Sequence, residues 1–280
     1  MFIFKFILKK NLNKSMFKDE KKNPDYFYYS VPDLQNIKIK NNLIESIDYY
    51  NCSKTIKFYK NLKYVPKILC VITTQFKNLK TKAIALNQTW GRNCDYIFFF
   101  ISSNYKNYTD KPYLNYAYLD IEENYNNLTI KIINILFYIF KKNMVFDWIL
   151  KADDDTFIIM ENLKYFLKFK CPNEPVNYGF VYKNREKNLK FLNFEFNSGG
   201  AGYLINRNSL QVFINQYIEN KKFCRLLTGT EDVDLSLCFS KLKIFPGDSR
   251  DSYGLERFHP TNFEEWRNLN KNDYNFKNAK

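Results

Sequence analysis

The chain has 280 residues, which is enough for one sizeable hydrophobic core or two small ones. Hydrophobic residues make up 45% of the chain and charged residues 26%, a composition typical of globular proteins that excludes a disordered chain. The formal net charge is +14, from 43 Lys and Arg against 29 Asp and Glu, and it favours anionic partners. Nucleic acid is only a secondary alternative, because the sequence has no helix-turn-helix pattern, zinc-finger spacing or aromatic RNA-binding signature.

The N-terminus begins with an apolar run, Met1–Leu8, which contains Lys5. A membrane-spanning helix needs about 20 apolar residues, so this run is either the remnant of an anchor or an ordinary hydrophobic start. The following residues are polar, rich in Lys and Asn and without a sustained period, as in a stem. We therefore predict an N-terminal extension over 1–62, a folded domain over 63–265 and a C-terminal tail over 266–280.

Two apolar runs bounded by polar residues, Ile68–Ile72 and Tyr96–Ile101, predict buried strands. Residues 78–90 lie between them and carry apolar side chains three or four positions apart, which predicts a helix. This strand–helix–strand order predicts a parallel sheet with Rossmann-like connections. A nucleotide diphosphate would dock at the end of the first strand, near Thr73 and Thr74. An ordinary strand cap is the alternative, because no Gly-rich phosphate loop is present.

After a helix predicted over 125–140, a buried strand runs into three consecutive carboxylates. Trp148–Leu150 is apolar, and Asp153–Asp155 follow where the strand would end. In open α/β sheets, ligands bind at that edge. Adjacent carboxylates repel each other and are costly to desolvate, and a divalent cation such as Mg²⁺ or Mn²⁺ removes this penalty. The alternative is an exposed acidic turn that caps a helix predicted over 161–169.

Residues 171–192 are loop-like, and a glycine-rich segment, Asn197–Tyr203, follows them. Its glycines would let the backbone approach a ligand closely, and a bulged turn is the alternative. The next helix is predicted over 204–218. A second acidic cluster, Thr228–Asp234, leads into a further helix, for which an N-terminal cap is the alternative role. His259 is the only histidine, and a lone histidine is more often a core or surface residue than a ligand.

Six cysteines are spread along the chain without a CxxC pair, so a structural zinc site is not expected. Separated cysteines in even number fit disulfides in an oxidising compartment, with buried free thiols as the alternative. Five Asn-x-Ser/Thr sequons give mild support for secretion in this asparagine-rich chain. The cysteines are Cys52, Cys70, Cys94, Cys171, Cys224 and Cys238. The sequons begin at Asn13, Asn51, Asn87, Asn107 and Asn127.

Six motifs occur in order between about residue 66 and residue 260. They are Cys70 and Cys94 flanking Gln88-Thr89-Trp90; Tyr125-x-Asn127-Leu128-Thr129-x-Lys131; Asp147–Thr156; Ser198–Tyr203; Cys224 to Cys238 enclosing Glu231-Asp232; and Gly247–Asp251 leading to Phe258-His259-Pro260. In this order and spacing, the chain resembles the β1,3-glycosyltransferases, a family that includes the core 1 β1,3-galactosyltransferases and the Fringe proteins. It is most similar to the core 1 branch.

The resemblance implies an α/β GT-A fold over 63–265, in which a Rossmann-like nucleotide-binding half with a mixed central sheet joins an acceptor-binding half. It implies UDP-galactose as the donor, Mn²⁺ as the cofactor, and transfer to the 3-hydroxyl of GalNAc on Ser or Thr of a glycoprotein or glycopeptide. It also implies the disulfides Cys70–Cys94 and Cys224–Cys238. A Golgi type II membrane protein is implied as well, although no complete anchor helix is visible in the sequence.

The resemblance assigns roles to single residues. The metal ligands would be Asp155 and His259, together with Asp153, which would lie nearer the ribose or nucleotide; imidazole suits Mn²⁺. Inversion at the anomeric carbon needs a base, for which Asp232 is the candidate and Glu231 the less favoured neighbour. Gly199, Gly200 and Gly202 would let the backbone approach the donor sugar. The residues that would bind the donor are Thr73, Thr74, Asp153, Asp154, Gly199 and Gly200.

Two alternatives stay open within the family. The first is a non-catalytic relative that acts as a chaperone. The chain keeps the acidic triplet together with Asp232 and His259, which favours an enzyme instead. The second is a Fringe-like enzyme that transfers GlcNAc. The sequence also leaves homodimerisation and membrane anchoring open.

Overall fold

A computed structural model describes residues 4–5, 65–183, 195–220, 223–224, 229–262 and 264–265. These residues belong to one compact unit, made of Met1–Phe6 and Tyr49–Lys280. The second unit, Ile7–Asp48, lies outside the described residues. So do the predicted C-terminal tail and all of the predicted N-terminal extension except residues 4–5.

The strands and helices alternate along most of the chain. The strands are β1 (Phe4–Lys5), β2 (Ile68–Thr73), β3 (Tyr96–Ser102), β4 (Tyr116–Leu119), β5 (Trp148–Asp153), β6 (Thr156–Phe157), β7 (Val176–Gly179), β8 (Val181–Lys183), β9 (Glu195–Asn197), β10 (Tyr203–Asn206) and β11 (Phe245–Pro246). The α-helices are α1 (Ile84–Gln88), α2 (Leu128–Lys142), α3 (Met160–Leu167), α4 (Arg207–Glu219) and α5 (Glu231–Lys241). Shorter helical turns lie at Phe76–Asn78, Leu79–Ala83, Trp90–Asn93, Ser103–Tyr105 and Tyr125–Asn127.

Seven strands form one central sheet in the order β11-β7-β10-β5-β2-β3-β4. β5, β2, β3 and β4 are mutually parallel, whereas β10 is antiparallel to both of its neighbours, β5 and β7. Two smaller pairings join β1 to β6 and β8 to β9. The predicted α/β class with a mixed central sheet is therefore confirmed.

The carboxyl ends of β2 and β5 meet in the middle of the sheet. β2 connects to β3 on one side, and β5 pairs with β2 on its other side, so the strand order reverses between them. Thr73 at the end of β2 is in register with Asp153 at the end of β5. Open α/β sheets bind ligands in the crevice at such a switch point.

The core fixes this edge because both strands are buried up to their last residues, Thr73 and Asp153, which are partly exposed. Ile68–Ile72 are fully buried, as are Trp148, Leu150 and Ala152. Near-continuous apolar runs of this kind are typical of parallel strands covered on both faces. The polar residues that follow β2 and β5 therefore emerge together where the apolar core ends.

Two segments differ from their predictions. The prediction of a loop over 171–192 is wrong for residues 171–183, which contain β7 and β8, and β7 pairs with β10 and β11. Residues 184–192 lie outside the described residues. Leu204 was predicted inside a helix, but it lies in β10, and the helix starts at Arg207. The Asn206 side chain accepts a hydrogen bond of 2.7 Å from the Ser209 amide and caps that helix. A short buried run cannot be assigned to strand or helix by periodicity alone.

The helix predicted over 78–90 is confirmed in position but is not continuous. A π-helical turn, Leu79–Ala83, leads into α1, and a 3₁₀ turn, Trp90–Asn93, follows it. Within the part of the chain that the structure describes, no helix is both long and apolar enough to cross a membrane.

Both predicted disulfides are present. Cys70 in β2 bonds to Cys94, which lies just before β3, with a Cα–Cα distance of 6.0 Å. Cys224 bonds to Cys238 in α5, with a Cα–Cα distance of 4.9 Å. Cys171 is also disulfide-bonded.

Candidate active site at the carboxyl edge of the sheet

Asp153 is the last residue of β5, and its carboxylate is held from two sides. The Thr73 hydroxyl donates a hydrogen bond of 2.7 Å to Asp153 Oδ1. The Lys151 ammonium donates to the same oxygen at 2.9 Å. Thr73 and Asp153 are therefore in contact because the register between β2 and β5 places them opposite each other.

Asp154 is anchored by the segment that follows β2. Its Oδ2 accepts hydrogen bonds from the Thr74 hydroxyl at 2.7 Å and from the Asn78 amide at 2.8 Å. Burial raises the pKa of the Asp154 carboxyl, and these two hydrogen bonds oppose that effect. The Thr74 carbonyl is held in turn by the buried Lys131 ammonium at 2.9 Å. Both predicted donor-binding threonines thus orient carboxylates of the acidic loop.

Asp155 has one carboxylate oxygen engaged and one available. Its Oδ2 lies 3.1 Å from the Lys82 ammonium, which is also 3.5 Å from Asp154 Oδ1. Its Oδ1 is buried and accepts no hydrogen bond from the residues that the structure describes. A buried carboxylate oxygen is costly without a partner, and a hard divalent cation would supply one. Asp155 therefore fits the predicted metal site.

Lys151 connects the acidic loop to the second acidic cluster. Its ammonium lies 2.9 Å from Asp153 Oδ1, 3.3 Å from Glu231 Oε2 and 3.4 Å from the Gly199 carbonyl oxygen. Burial acts to lower the pKa of Lys151, but the carboxylates of Asp153 and Glu231 outweigh it and raise that pKa. Lys151 is therefore a buried cation shared by two parts of the site.

Glu231 and Asp232 form the first turn of α5 but differ in their surroundings. Both carboxylate oxygens of Glu231 are occupied, one by Lys151 and the other by the Tyr203 hydroxyl. Asp232 is half-buried and accepts a hydrogen bond of 2.7 Å from the Gly199 amide. Burial raises the pKa of Asp232, while the Gly199 amide and Lys151 act to lower it. The other oxygen of Asp232 accepts a hydrogen bond of 2.9 Å from the Val233 amide, so both carboxylates are engaged, but Asp232 is the more exposed of the two. Its role as the base stays a prediction.

Asp232 also borders a small cavity, with an accessible volume of about 10 Å³, roughly that of one water molecule. Asn197 lines the same cavity, and its Oδ1 is buried without a hydrogen-bond partner in the described ranges. The Asn197 amide donates a hydrogen bond of 2.6 Å to Asn177. Leu235 and Phe239 line the cavity together with these polar side chains, so it is an interior space for about one water molecule and not an acceptor site.

The glycine-rich turn between β9 and β10 is pressed against these carboxylates. A Cβ at Gly199 would lie 3.0 Å from Glu231 Oε2 and 3.3 Å from Asp232 Oδ2. Gly202 has φ +74°, and a Cβ there would lie 3.1 Å from the Lys151 carbonyl oxygen. A side chain at either position would push α5 or β5 away from the turn.

Gly202→Ala is expected to lower the free energy of unfolding by roughly 1–3 kcal/mol, because it adds a backbone clash to a left-handed conformation. The matched control is Gly254→Ala, since Gly254 has φ +77° and open space where a Cβ would lie. Urea unfolding of both variants separates the clash from the cost of the positive φ. Equal losses of unfolding free energy in the two variants would show that the close approach to the Lys151 carbonyl oxygen adds no cost.

His259 is 2% exposed, and burial lowers its pKa to about 4, so the ring is neutral at neutral pH. Neutral imidazole is the form that binds metals. Among the described residues, however, no group of three or more His, Cys, Asp or Glu side chains has a metal-binding arrangement. The meeting of Asp153, Asp155 and His259 at one ion therefore stays a prediction.

Sequence reasoning did not identify the lysines of the site. Lys151 interrupts an otherwise apolar strand, and a cation in such a run signals buried carboxylate partners. Lys131 gives the same signal within the buried face of α2. Lys82 gave no signal, because it lies among several dispersed lysines.

The mixed sheet, the acidic loop after β5 and the acidic first turn of α5 meet at one edge, and comparison with known proteins identifies the family. Residues 106–250 match the family described as Galactosyltransferase, and the chain belongs to that family. This confirms the resemblance found in the sequence.

Among individual relatives, the chain is 33% identical over 195 residues to "Glycoprotein-N-acetylgalactosamine 3-beta-galactosyltransferase 1" of Xenopus laevis. The match covers 69% of this chain and 50% of the relative, so the chain spans about half the length of that protein. A solved structure, the apo form of the glycosyltransferase GlyE of Streptococcus pneumoniae, has a TM-score of 0.31 and 13% identity. It covers 65% of this chain and 45% of that one, a similarity too low to carry an argument.

Proposed function

We propose that this chain is an inverting, metal-dependent hexosyltransferase, which moves galactose from UDP-galactose to the 3-hydroxyl of GalNAc on Ser or Thr of glycoproteins. The observation that carries the proposal is the link through Lys151, which brings the acidic loop and the Asp232 end of α5 to one sheet edge. Membership of the galactosyltransferase family supports it. So does the similarity to the Xenopus relative, whose name states a 3-beta-galactosyltransferase activity on glycoprotein N-acetylgalactosamine.

In this proposal the donor lies along the carboxyl ends of β2 and β5. Thr73 and Thr74 hold Asp153 and Asp154 in place. The backbone of Gly199 and Gly200 would approach the donor sugar, and Gly199 itself packs closely against Glu231 and Asp232. Asp153, Asp155 and His259 would hold Mn²⁺. Mn²⁺ there would act as a Lewis acid on the charge that develops on the departing UDP.

Asp232 would take the proton from the acceptor hydroxyl as the new glycosidic bond forms. Its carboxylate is oriented by the Gly199 amide at 2.7 Å and by the Val233 amide at 2.9 Å. Two backbone donors would orient this carboxylate toward the acceptor hydroxyl, and such positioning favours proton transfer. Glu231 would support it by balancing Lys151.

We also propose that the protein works in the secretory pathway as a Golgi enzyme that acts on glycoprotein acceptors. The Cys70–Cys94 and Cys224–Cys238 disulfides support this, because such bonds persist in oxidising compartments.

The proposal is tested with a panel of UDP-sugars, including UDP-galactose and UDP-GlcNAc, against a GalNAc-peptide in the presence of Mn²⁺. Transfer from UDP-galactose with an inverted β1,3 linkage is expected. Preference for UDP-GlcNAc would indicate a Fringe-like enzyme. Neither transfer nor hydrolysis of any donor would indicate a non-catalytic relative.

Metal removal gives a separate prediction. EDTA is expected to abolish transfer and added Mn²⁺ to restore it, since the UDP charge would lose its counter-ion. Calorimetric titration of UDP should show that His259→Ala weakens binding only when Mn²⁺ is present. Full transfer in EDTA would contradict the metal requirement. Equal weakening of UDP binding with and without Mn²⁺ would show that His259 is structural.

A further inference from the structure

Lys82 faces the acidic loop from the π-helical turn that follows β2. Its ammonium lies 3.1 Å from Asp155 Oδ2 and 3.5 Å from Asp154 Oδ1. The Lys82 side chain is 26% exposed and that of Asp155 is 19% exposed, so both are largely but not fully removed from water. Lys82 therefore neutralises part of the negative charge of the loop. Because its side chain is partly exposed, its ammonium has room to move.

The position of Lys82 conflicts with a divalent ion on Asp155. A cation at Asp155 Oδ1 would share one carboxylate with the Lys82 ammonium, which contacts Oδ2. Like charges a few ångströms apart in a partly desolvated site repel strongly. A diphosphate beside the ion would supply negative charge, and an ammonium on a flexible stem can turn to meet it.

We propose that Lys82 couples metal binding to nucleotide binding: its ammonium is the counter-ion of the acidic loop and moves to the donor diphosphate when metal and nucleotide bind together. This rests on the proposed function, since it takes Asp155 as a metal ligand. Lys82 then opposes metal binding in the absence of nucleotide and favours nucleotide binding in the presence of metal. The two ligands become mutually dependent, as linkage requires.

The test uses Mn²⁺ and UDP as separate probes. Lys82→Met is expected to tighten Mn²⁺ binding without UDP by about 3- to 10-fold, measured by electron paramagnetic resonance of free Mn²⁺. The same variant is expected to weaken UDP binding in Mn²⁺ by about 10-fold or more, measured by calorimetry. Lys82→Arg should bind both ligands nearly as wild type does, because the charge is kept.

Lys80→Met is the matched control. Lys80 lies two positions earlier in the same turn, but it pairs with the exposed Asp110, and the two side chains are 58% and 83% exposed. It should change neither affinity. If Lys82→Met does not fold, Lys82→Gln removes the charge with less apolar surface, and circular dichroism checks its fold.

The outcomes are distinguishable. Mn²⁺ affinity that is unchanged or weaker in Lys82→Met would overturn the counter-ion role, and unchanged UDP affinity would overturn the contact with diphosphate. A wild-type protein that binds neither Mn²⁺ nor UDP would instead refute the proposed function, and this inference with it.

Discussion

Asp232→Asn is expected to lower kcat by ~10²–10⁴-fold, the range that general-base assistance usually contributes. The amide cannot accept the proton of the acceptor hydroxyl. Its oxygen can still accept the hydrogen bond from the Gly199 amide, but its NH2 group would then face the Val233 amide. The affinity for UDP should therefore change little, and the unfolding temperature should fall only slightly. Steady-state kinetics with a GalNAc-peptide, calorimetry with UDP and a thermal melt together measure the three quantities.

Glu231→Gln is the matched control for this prediction, because Glu231 is the neighbouring carboxylate of the same helical turn. Glutamine keeps an acceptor for the Tyr203 hydroxyl but loses the charge that balances Lys151. Its main loss should be in stability rather than in kcat. If Asp232→Asn kept more than a tenth of kcat, or Glu231→Gln lost more kcat than Asp232→Asn, the assignment of the base would be wrong.

The same assignment predicts a pH profile. Burial raises the pKa of Asp232 above its usual value, so the base is lost by protonation at a higher pH than for an exposed aspartate. Activity should therefore be full above that pKa and fall as the pH is lowered through it.

The elements that carry the site could be predicted from local sequence because their signals are local. β2 and β5 are apolar runs that end in polar residues, and parallel strands place such ends on one edge. The position of the acidic loop beside Thr73 and Thr74 followed from that topology. The Cys70–Cys94 bond, by contrast, was predicted only from the family resemblance.

Contacts that depend on strand register could not be predicted. Lys151 meets Glu231 because β10 pairs with β5 so that Tyr203 lies opposite Lys151, and Tyr203 in turn contacts Glu231. β10 itself was missed, since its four buried residues have no period of their own. The pairings that identify β10 as a strand join it to β7 and β5, which are distant in the chain.

Lys151→Met is expected to lower the free energy of unfolding by roughly 3–5 kcal/mol, the usual cost of removing one partner from a buried ion pair. Asp153 and Glu231 would keep their negative charges in a site from which water is largely excluded. Lys80→Met removes an exposed ion pair by the same substitution and should cost at most about 1 kcal/mol. Urea unfolding of the two variants gives the difference directly.

The double variant Lys151→Met, Glu231→Gln tests whether this loss comes from charge or from packing. Removing the carboxylate charge that Lys151 leaves uncompensated should restore part of the stability, so the two losses should not add. If the loss of unfolding free energy in the double variant equalled the sum of the two single losses, Lys151 would contribute to stability by packing alone. If the double variant regained stability but not kcat, Lys151 would have a further role in catalysis, because it also contacts Asp153 and the Gly199 carbonyl. It would then position the donor end of the site relative to Asp232, and the same buried cation would serve both folding and catalysis.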